Sequence, residues 1–396
     1  MAQRATIVNV GEAIEIVKEM NITGDKWENI DLRNEGRNAL KRVLEESMAG
    51  RMDGYLSHFK RQSGDRRNGG YSRKLLTALG EIELVVPRSR TFSALSVVKA
   101  YARRTAEIDQ LILSCFVLGL STRKVGESLL SILGERVSAS TVSRIAKTLD
   151  SAVAAFHARR LRNEYKAILL DGVVLSRKTG VGAIRRPVLV VMGIRHDGKK
   201  EVIDFRLCAS ESQQQWELFL NDLYRRGLTC DGVEVICVDG GKGCLAALDT
   251  VYPHIPVQRC WAHKIRNIVD KVRKKDAEEV KKDLRKIYCA KDIVKARSAA
   301  REFADKWESA YPSAVKCLKA DLDDLLTFFR FKDQTWRKAT RTTNAIERRF
   351  REVRRRTRPM GVFSDKTSMD RVLYAVFTYE NKKQGAVPLF ALTQNS

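Results

Sequence analysis

Two short apolar runs that each lead directly into an aspartate constrain the fold of this chain most. Ala167-Ile-Leu-Leu170 precedes Asp171, and Val235-Ile-Cys-Val238 precedes Asp239. Unbroken apolar runs of this length are typical of strands that are covered on both faces, as in α/β sheets. A carboxylate beside such a strand is costly unless it is paired or serves a site. Both aspartates are therefore candidate functional residues.

The sequence around these runs predicts a mixed α/β core. Three strands form an antiparallel meander, with a His196-Asp-Gly198 turn between the last two, and helices then alternate with strands. Three strands are expected at 167–175, 187–194 and 201–208. A helix at 214–226, a strand at 233–238, a helix at 244–250 and a strand at 255–258 follow. This order gives a sheet with helices packed against it.

A chain of 396 residues is too long for a single hydrophobic core, so several domains are expected. The N-terminal region is predicted to be helical over 13–48, with a basic loop at 64–70 and a strand at 81–87. The predicted boundaries are 1–100 for this N-terminal region, 101–160 for a helix-turn-helix domain, 161–265 for the first part of the core, 266–340 for an all-helical insertion and 341–396 for the last part of the core.

The net charge indicates the expected partner. Lys and Arg total 73 against 48 Asp and Glu, which gives a formal net charge of +25 and favours a polyanion such as double-stranded DNA. An anionic membrane is the competing partner, but the longest apolar run, 111–120, is far shorter than the roughly 20 residues that a bilayer requires. Because the first nine residues lack the apolar core of a secretory signal, we expect a cytoplasmic protein without membrane contact.

Residues 121–149 have the layout of a helix-turn-helix. Ser121 can cap a first helix, and Ser138 or Ser140 can cap a second that continues to Leu149. The second helix would expose side chains suited to a major groove, namely Thr141, Ser143, Arg144 and Lys147. An ordinary helical hairpin is the alternative. In the N-terminal region, phosphate contacts are expected from Arg67, Arg88 and Arg90.

The two aspartates call for a cation and a third acid. Acids at neighbouring strand ends repel unless something positive lies between them, and a divalent cation with oxygen ligands is the simplest solution. Two ions about 3.5–4 Å apart can bind the attacking and leaving oxygens of a phosphoryl transfer, and a third carboxylate usually helps to hold them. Glu347 is the best candidate for that carboxylate.

Glu347 lies at the border of the apolar face of a helix predicted from 343 to 356. Arg351 and Arg354 follow on the same side and could bind DNA phosphates, and Arg355 is a further candidate contact. Glu352 is turned away from this side and is expected to pair with nearby arginines.

These residues resemble the motifs of the prokaryotic Mutator-type insertion-sequence transposases, a DDE family with an RNase H-like catalytic core. The resemblance spans about residues 60–365 and includes the motifs Leu170-Asp-Gly172, Ser210-Glu-Ser212, Val238-Asp-Gly240, Gln258-Arg-Cys-Trp-Ala-His263 and Arg341-Thr-Thr-Asn-Ala-Ile-Glu347. It implies that Asp171, Asp239 and Glu347 form a metal-binding catalytic triad. It also implies cleavage and strand transfer of transposon ends with two Mg²⁺ ions, for which Mn²⁺ can substitute, by a homodimer on paired ends.

The motif Cys260-Trp-Ala-His263 has the spacing of half a zinc site. No second ligand pair at zinc-site spacing follows it, so a structural role is favoured over zinc. The resemblance places this motif, together with Trp216, beside the catalytic centre.

Two other functions stay open at this point. An RNase H-like nuclease or resolvase would share the three acids but would cut DNA without joining it. A domesticated DNA-binding regulator would keep the helix-turn-helix and would have lost the chemistry.

Overall fold

The computed structural model describes residues 32–92, 94, 104–133, 136–179, 182–360 and 366–383. They belong to two compact units. The first contains the described residues up to Leu111 together with Gly126–Val137, and the second contains Ile112–Val125 and the described residues from Ser138 onward. The beginning of the predicted first helix, residues 13–31, lies outside the described residues.

In the first unit a long helix packs against a two-stranded hairpin. Helix α1 (Leu32–Ser63) covers strands β1 (Gly70–Thr77) and β2 (Gly80–Pro87), which pair in antiparallel register. Their shared core contains Met48, Met52, Leu75, Ile82, Leu84 and Val86. The predicted strand at 81–87 is confirmed. The sequence does not predict β1, because only its last three residues are buried and they give no alternating pattern.

Four helices follow, at α2 (Ala106–Val117), α3 (Thr122–Leu133), α4 (Ala139–Ala146) and α5 (Leu149–Ala158). The Ser138 hydroxyl caps α4 by accepting a 3.2 Å hydrogen bond from the Thr141 N–H. Because the boundary between the two units passes through α2 and α3, the helix-turn-helix arrangement of α3 and α4 stays a prediction.

Helix α4 is shorter than predicted. It ends at Ala146, and Leu149 begins α5 instead of ending α4. At the junction the Thr148 hydroxyl donates a 2.6 Å hydrogen bond to the carbonyl of Ile145. A threonine side chain that bonds to the backbone in this way competes with regular helix, which accounts for the break.

The second unit contains a five-stranded mixed sheet in the order β5-β4-β3-β6-β7. The strands are β3 (Tyr165–Thr179), β4 (Gly182–Arg195), β5 (Lys200–Leu207), β6 (Val235–Val238) and β7 (Val257–Arg259). Strands β3, β4 and β5 are antiparallel neighbours, whereas β6 is parallel to both β3 and β7. The predicted mixed α/β core is therefore confirmed.

Helices cover both faces of this sheet. Helices α6 (Gln213–Arg225) and α7 (Lys242–Val251) bury one face, with Ile168, Leu170, Trp216, Phe219, Ile236 and Leu248 in the core. Helices α14 (Asn344–Met360) and α15 (Lys366–Lys383) pack on the other face, where Phe205 and Phe350 both contact Phe377 edge to face.

Strands β3 and β4 continue beyond the other strands as a two-stranded arm. Pairing of β3 with β6 ends at Leu170, and pairing of β4 with β5 begins only at Val188. Residues 172–179 and 182–187, the β3–β4 arm, remain paired with each other. Both strands are longer than predicted, because the ladder of backbone hydrogen bonds extends through polar and basic residues that resemble a loop in the sequence.

Between β7 and α14 every element is helical. These elements are α8 (Trp261–Val269), α9 (Ala277–Tyr288), α10 (Ile293–Trp307), α11 (Pro312–Lys319), α12 (Leu322–Leu326), a 3-10 turn (Thr327–Arg330) and α13 (Gln334–Thr340). Their core contains Trp261, Phe303, Trp307 and Phe328. The helical character predicted for 266–340 is confirmed. None of the helices in the described part of the chain is long and apolar enough to cross a bilayer.

Candidate active site

The register of two parallel strands brings the predicted aspartates to the same level of the sheet. Leu170 of β3 pairs with Val238 of β6, and this is the last pair between the two strands. Asp171 and Asp239 each follow that pair directly, so they lie side by side where β6 ends. The Asp239 loop is held by a 2.9 Å hydrogen bond from the Gly241 N–H to Asp239 Oδ1.

Asp171 lies inside a strand, and the prediction that it marks a strand end is wrong. Strand β3 continues to Thr179 because it keeps its antiparallel partner β4. The preceding Leu170 belongs to the core under α6 and α7, so alternation directs Asp171 to the opposite face, where α14 packs.

Asp171 is a buried carboxylate with incomplete hydrogen bonding. It is 3% exposed, and its Oδ2 has no hydrogen-bond partner. Burial raises the pKa of Asp171 to about 7; His263 opposes this rise, and Asp239 adds to it. A bound cation would offset the cost of this buried oxygen.

Glu347, in the first turn of α14, approaches the same region. Its Oε1 lies 3.7 Å from His263 Nε2 and 3.7 Å from Arg266 Nη2. His263 lies on α8, and its charge also interacts with Asp171 and Asp239. One imidazole therefore faces all three predicted acids.

Cys260 joins three elements at the base of this site. Its buried Sγ accepts hydrogen bonds from the N–H and the hydroxyl of Thr343, at 3.3 and 3.5 Å. A hydrogen bond from Cys237 lowers the pKa of Cys260 to about 3 against the effect of burial, with help from His263 and Thr343. The hydrogen bond with Cys260 raises the pKa of His263 to about 9. The contacts of Cys260 with Thr343 thus link the end of β7 and the start of α8 to the start of α14.

A cavity of about 460 Å³ opens beside Asp171. Besides Asp171, Glu347 and His263, its lining includes three arginines from α8 and α14, namely Arg266, Arg351 and Arg354. Positive charge next to these acids suits a phosphate group. Asp239 does not line this cavity and lies next to it, beside Asp171.

The predicted DNA contacts in the first unit are exposed. Arg67 forms an ion pair with Asp53, and Arg88 lies over the ring of Tyr71 at 5.7 Å. Arg90 is exposed in the same loop, which Asp65 shapes by accepting a 3.0 Å hydrogen bond from the Arg90 N–H.

The remaining predicted contacts are also at least partly exposed. On α4 these are Thr141, Ser143 and Arg144, and Lys147 directly follows the helix. Arg355 is exposed but pairs with Glu352, 3.0 Å away, and Glu352 also pairs with Arg356. The pairing predicted for Glu352 is confirmed, and Arg355 must exchange this partner to reach a phosphate.

Sequence reasoning assigns no role to Glu211, which the structure brings to the site. The residue precedes α6, next to Gly172 and Asp239. Trp216, predicted to be near the site, is fully buried beside it, and its Nε1 has no hydrogen-bond partner. The only sequence signal for Glu211 is its position in the Ser210-Glu-Ser212 motif.

The helical insertion supports the Asp239 loop through Arg259. The guanidinium lies so close to Gly240 that a Cβ there would overlap it, and Gly240 has a φ of +94°, which favours glycine. Asp321, just before α12, binds both Arg259, at 3.3 Å, and the buried Lys264.

The acids fit a hard divalent cation after one local change. Among the described residues, no three His, Cys, Asp or Glu side chains converge in this conformation on a possible metal position. Glu347 is directed towards His263 and Arg266 instead. The donor set consists of carboxylate oxygens, which Mg²⁺ and Mn²⁺ accept, and Asp171 Oδ2 is an available donor.

The structure gives a cluster of acids beside an arginine-lined cavity on an α/β sheet, and comparison with known proteins gives the family of the chain. The family model "Transposase, Mutator family" matches residues 15–384. The chain belongs to the Mutator family of transposases, enzymes that cleave and join DNA. The resemblance seen in the motifs is thereby confirmed.

Proteins that are similar to most of this chain are also described as transposases. The transposase for insertion sequence element ISRM5 of Rhizobium meliloti (strain 1021) is 32% identical over 87% of this chain and 88% of its own length. The transposase for IS905 of Lactococcus lactis subsp. lactis (strain IL1403) is 30% identical over 81% of each chain. The transposase for IS256 in transposon Tn4001 of Staphylococcus aureus is 30% identical over 78% of this chain and 80% of its own.

Among solved structures, the Drosophila P element transposase strand transfer complex matches 74% of this chain and 85% of its own, at 12% identity and a TM-score of 0.32.

Proposed function

We propose that this chain is an insertion-sequence transposase of the DDE type with an RNase H-like core, and that Asp171, Asp239 and Glu347 serve DNA cleavage and strand transfer. The observation that carries the proposal is the strand register, which sets the two aspartates side by side after Leu170 and Val238. Glu347 faces the same imidazole as both aspartates, and relatives named as insertion-sequence transposases support the substrate.

The three carboxylates would hold two Mg²⁺ ions, or Mn²⁺ in their place. Such ions supply Lewis acidity at the scissile phosphate and make a bound water or 3′-hydroxyl a better nucleophile. Glu347 must leave His263 and Arg266 to become a ligand, and half-exposed contacts of 3.7 Å are weak enough to exchange.

The arginines of the cavity would hold the DNA backbone. Arg266, Arg351 and Arg354 line it next to Asp171 and Glu347, where their guanidinium groups can bind phosphate oxygens around the scissile bond. The proposed partner is double-stranded DNA, as transposon end and as target, and two copies are proposed to act together on paired ends.

The test compares acid variants with matched controls on labelled end DNA. Asp171→Asn, Asp239→Asn and Glu347→Gln should each lower nicking and strand transfer at least about 100-fold, since even the loss of a group that supports a ligand costs 10–100-fold. The controls are Asp197→Asn in the β4–β5 turn and Glu302→Gln on the surface of α10, both expected to keep activity. Chelation by EDTA should abolish nicking and leave DNA binding.

Other outcomes assign other functions. Undiminished nicking by any of the three variants removes that acid from the triad. Nicking without joined products by the unmodified protein favours a nuclease or resolvase. DNA binding without cleavage in either Mg²⁺ or Mn²⁺ favours a regulator that has lost the chemistry.

A further inference from the structure

Glu211 extends from a fixed point of the fold. It immediately precedes Ser212, whose hydroxyl caps α6 by accepting a hydrogen bond from the Gln215 N–H. The cap sets the backbone direction at the start of the helix. The backbone of Glu211 is therefore fixed at the start of α6, and its side chain is exposed.

This carboxylate rests against the backbone of β3 beside Asp171. A Cβ on Gly172 would overlap the carboxylate of Glu211. Gly172 does not have a positive φ, so its backbone conformation does not itself require glycine. The carboxylate of Glu211 instead occupies the space where a side chain at position 172 would lie.

The same carboxylate meets Asp239 on the other side. A Cβ on Gly241 would lie 3.5 Å from Asp239 Oδ1 and 3.7 Å from Glu211 Oε1, so the two oxygens border one small volume that no side chain fills. A Cβ on Gly243 would lie 2.7 Å from the backbone nitrogen of Gln213, so the start of α7 also packs against the segment after Glu211.

Two buried polar atoms near this volume lack hydrogen-bond partners, namely Asp171 Oδ2 and Trp216 Nε1. The indole N–H is a donor and can bond only to an acceptor such as a carboxylate, so Asp171 Oδ2 is the atom that a cation would satisfy. Glu211 is exposed, so a cation bound beside it can exchange with solvent. Carboxylates that lie this close together repel unless a positive charge lies between them.

We propose that Glu211 is a fourth carboxylate of the active site and that it shares a divalent-cation position with Asp239. The inference rests on the metal-dependent function proposed above and goes beyond the triad.

The experiment measures Mn²⁺ binding to the full-length protein by calorimetry and by electron paramagnetic resonance, with and without end DNA. Glu211→Gln keeps the shape of the side chain and should weaken one Mn²⁺ site at least about tenfold. Gly172→Ala, which displaces the carboxylate without removing it, should weaken the same site. The matched control is Glu217→Gln on α6, whose carboxylate bonds to Gln213 and Thr250 instead.

A second measurement is the Mn²⁺ concentration that gives half-maximal nicking, which Glu211→Gln should raise in parallel with the binding constant. Metal-free DNA binding and circular dichroism should match the unmodified protein. The role of Glu211 would be overturned if Glu211→Gln bound Mn²⁺ with the affinity and stoichiometry of the unmodified protein. The proposed function would still be upheld in that case if the triad variants lost nicking. Absence of any Mn²⁺ binding to the unmodified protein with end DNA would overturn both.

Discussion

Asp171 combines a proposed chemical role with a cost to the stability of the metal-free protein. Its carboxylate is buried against the sheet, and one of its oxygens has no partner. Its pKa of about 7, raised first by burial, means that ionisation is unfavourable in the folded state. A residue chosen for stability alone would be apolar at this position.

The Asp171→Asn substitution should therefore stabilise the metal-free protein. The folded pKa lies above the unfolded value of 3.8, so stability falls as the pH rises from about 4 to about 7 and stays low above it. In EDTA at pH 8 we expect a gain of about 1–3 kcal/mol, or about 2–6 °C in Tm, measured by thermal denaturation. The gain should disappear near pH 4.

Asp197→Asn in the exposed β4–β5 turn is the control and should leave Tm unchanged at pH 8. A lower Tm for Asp171→Asn would mean that neighbouring groups stabilise the charged carboxylate more than burial opposes it.

At the scale of single elements, the helical insertion carries its own buried acid. Asp283 on α9 accepts hydrogen bonds from Lys286 and Lys306, at 2.8 and 2.7 Å, and from Trp307 Nε1 at 3.0 Å. Burial opposes ionisation, but these hydrogen bonds prevail and lower the pKa of Asp283 to about 2. The charged form therefore contributes to the packing of α9 against α10.

Asp283→Asn should destabilise the protein by about 1–2 kcal/mol at pH 7. Since the folded pKa is below the unfolded value of 3.8, this contribution is complete above about pH 5 and is lost as the pH falls towards 2. Urea denaturation of both proteins at pH 7, 5 and 3 measures the difference. A difference that stays constant down to pH 3 would contradict an ionic origin.

The β3–β4 arm is a second element with a testable consequence. Residues 172–187 contain four Lys or Arg and no Asp or Glu. Arg185 is exposed and is paired in register with Ser176, and Arg186 is half-buried. A two-stranded ribbon fits a DNA major groove, and this one continues from the strand that carries Asp171.

Replacing Arg185 and Arg186 with Ala should lower metal-free affinity for end DNA. It should also make the slope of log K, the DNA-binding constant, against log salt concentration less steep. The expected change is about 0.9 for each phosphate that these side chains neutralise in the unmodified protein. Fluorescence anisotropy at several salt concentrations measures both. Lys199→Ala, in the turn at the other end of β4, should change neither. Equal affinities for all three proteins would exclude the arm from the DNA interface.

The sequence predicts these elements where buried side chains form a recognisable apolar pattern. It fails where a strand or a helix end lacks such a pattern. The runs before Asp171 and Asp239 are buried on both faces and are visible as strands. Beyond Leu175, β3 continues as the polar and basic residues Ser176-Arg-Lys-Thr179, which pair with β4 but give no apolar signal in the sequence. The end of α4 depends on one hydroxyl, Thr148, which could equally have faced solvent.

At the scale of the whole molecule, the net charge of +25 predicts a strong dependence of DNA affinity on salt. With about 6–10 phosphate contacts, affinity should fall roughly 10³–10⁵-fold between 50 and 200 mM salt. Arg351→Ala should lower the slope by about 0.9, the value for one phosphate, whereas Arg297→Ala on α10 should not. A slope near zero would contradict electrostatic DNA binding.

The sequence singles out the three candidate acids because each stands where an acid is unexpected, but it does not show their detailed geometry. The carboxylate of Glu211 lies against Gly172, and glycine leaves no charge or period to detect. The pairing of Glu347 with His263 and Arg266 joins segments from opposite ends of the insertion. Such contacts depend on tertiary packing.

The helical insertion separates Asp239 from Glu347 by 108 residues. A ribosome that adds about 5–20 residues per second completes the second acid roughly 5–20 s before the third. During this interval the growing chain also lacks α14 and α15, so the face of the sheet that carries Asp171 stays uncovered until the last part of the chain is made. The two strand aspartates are thus made before both the third candidate acid and the helices that cover them.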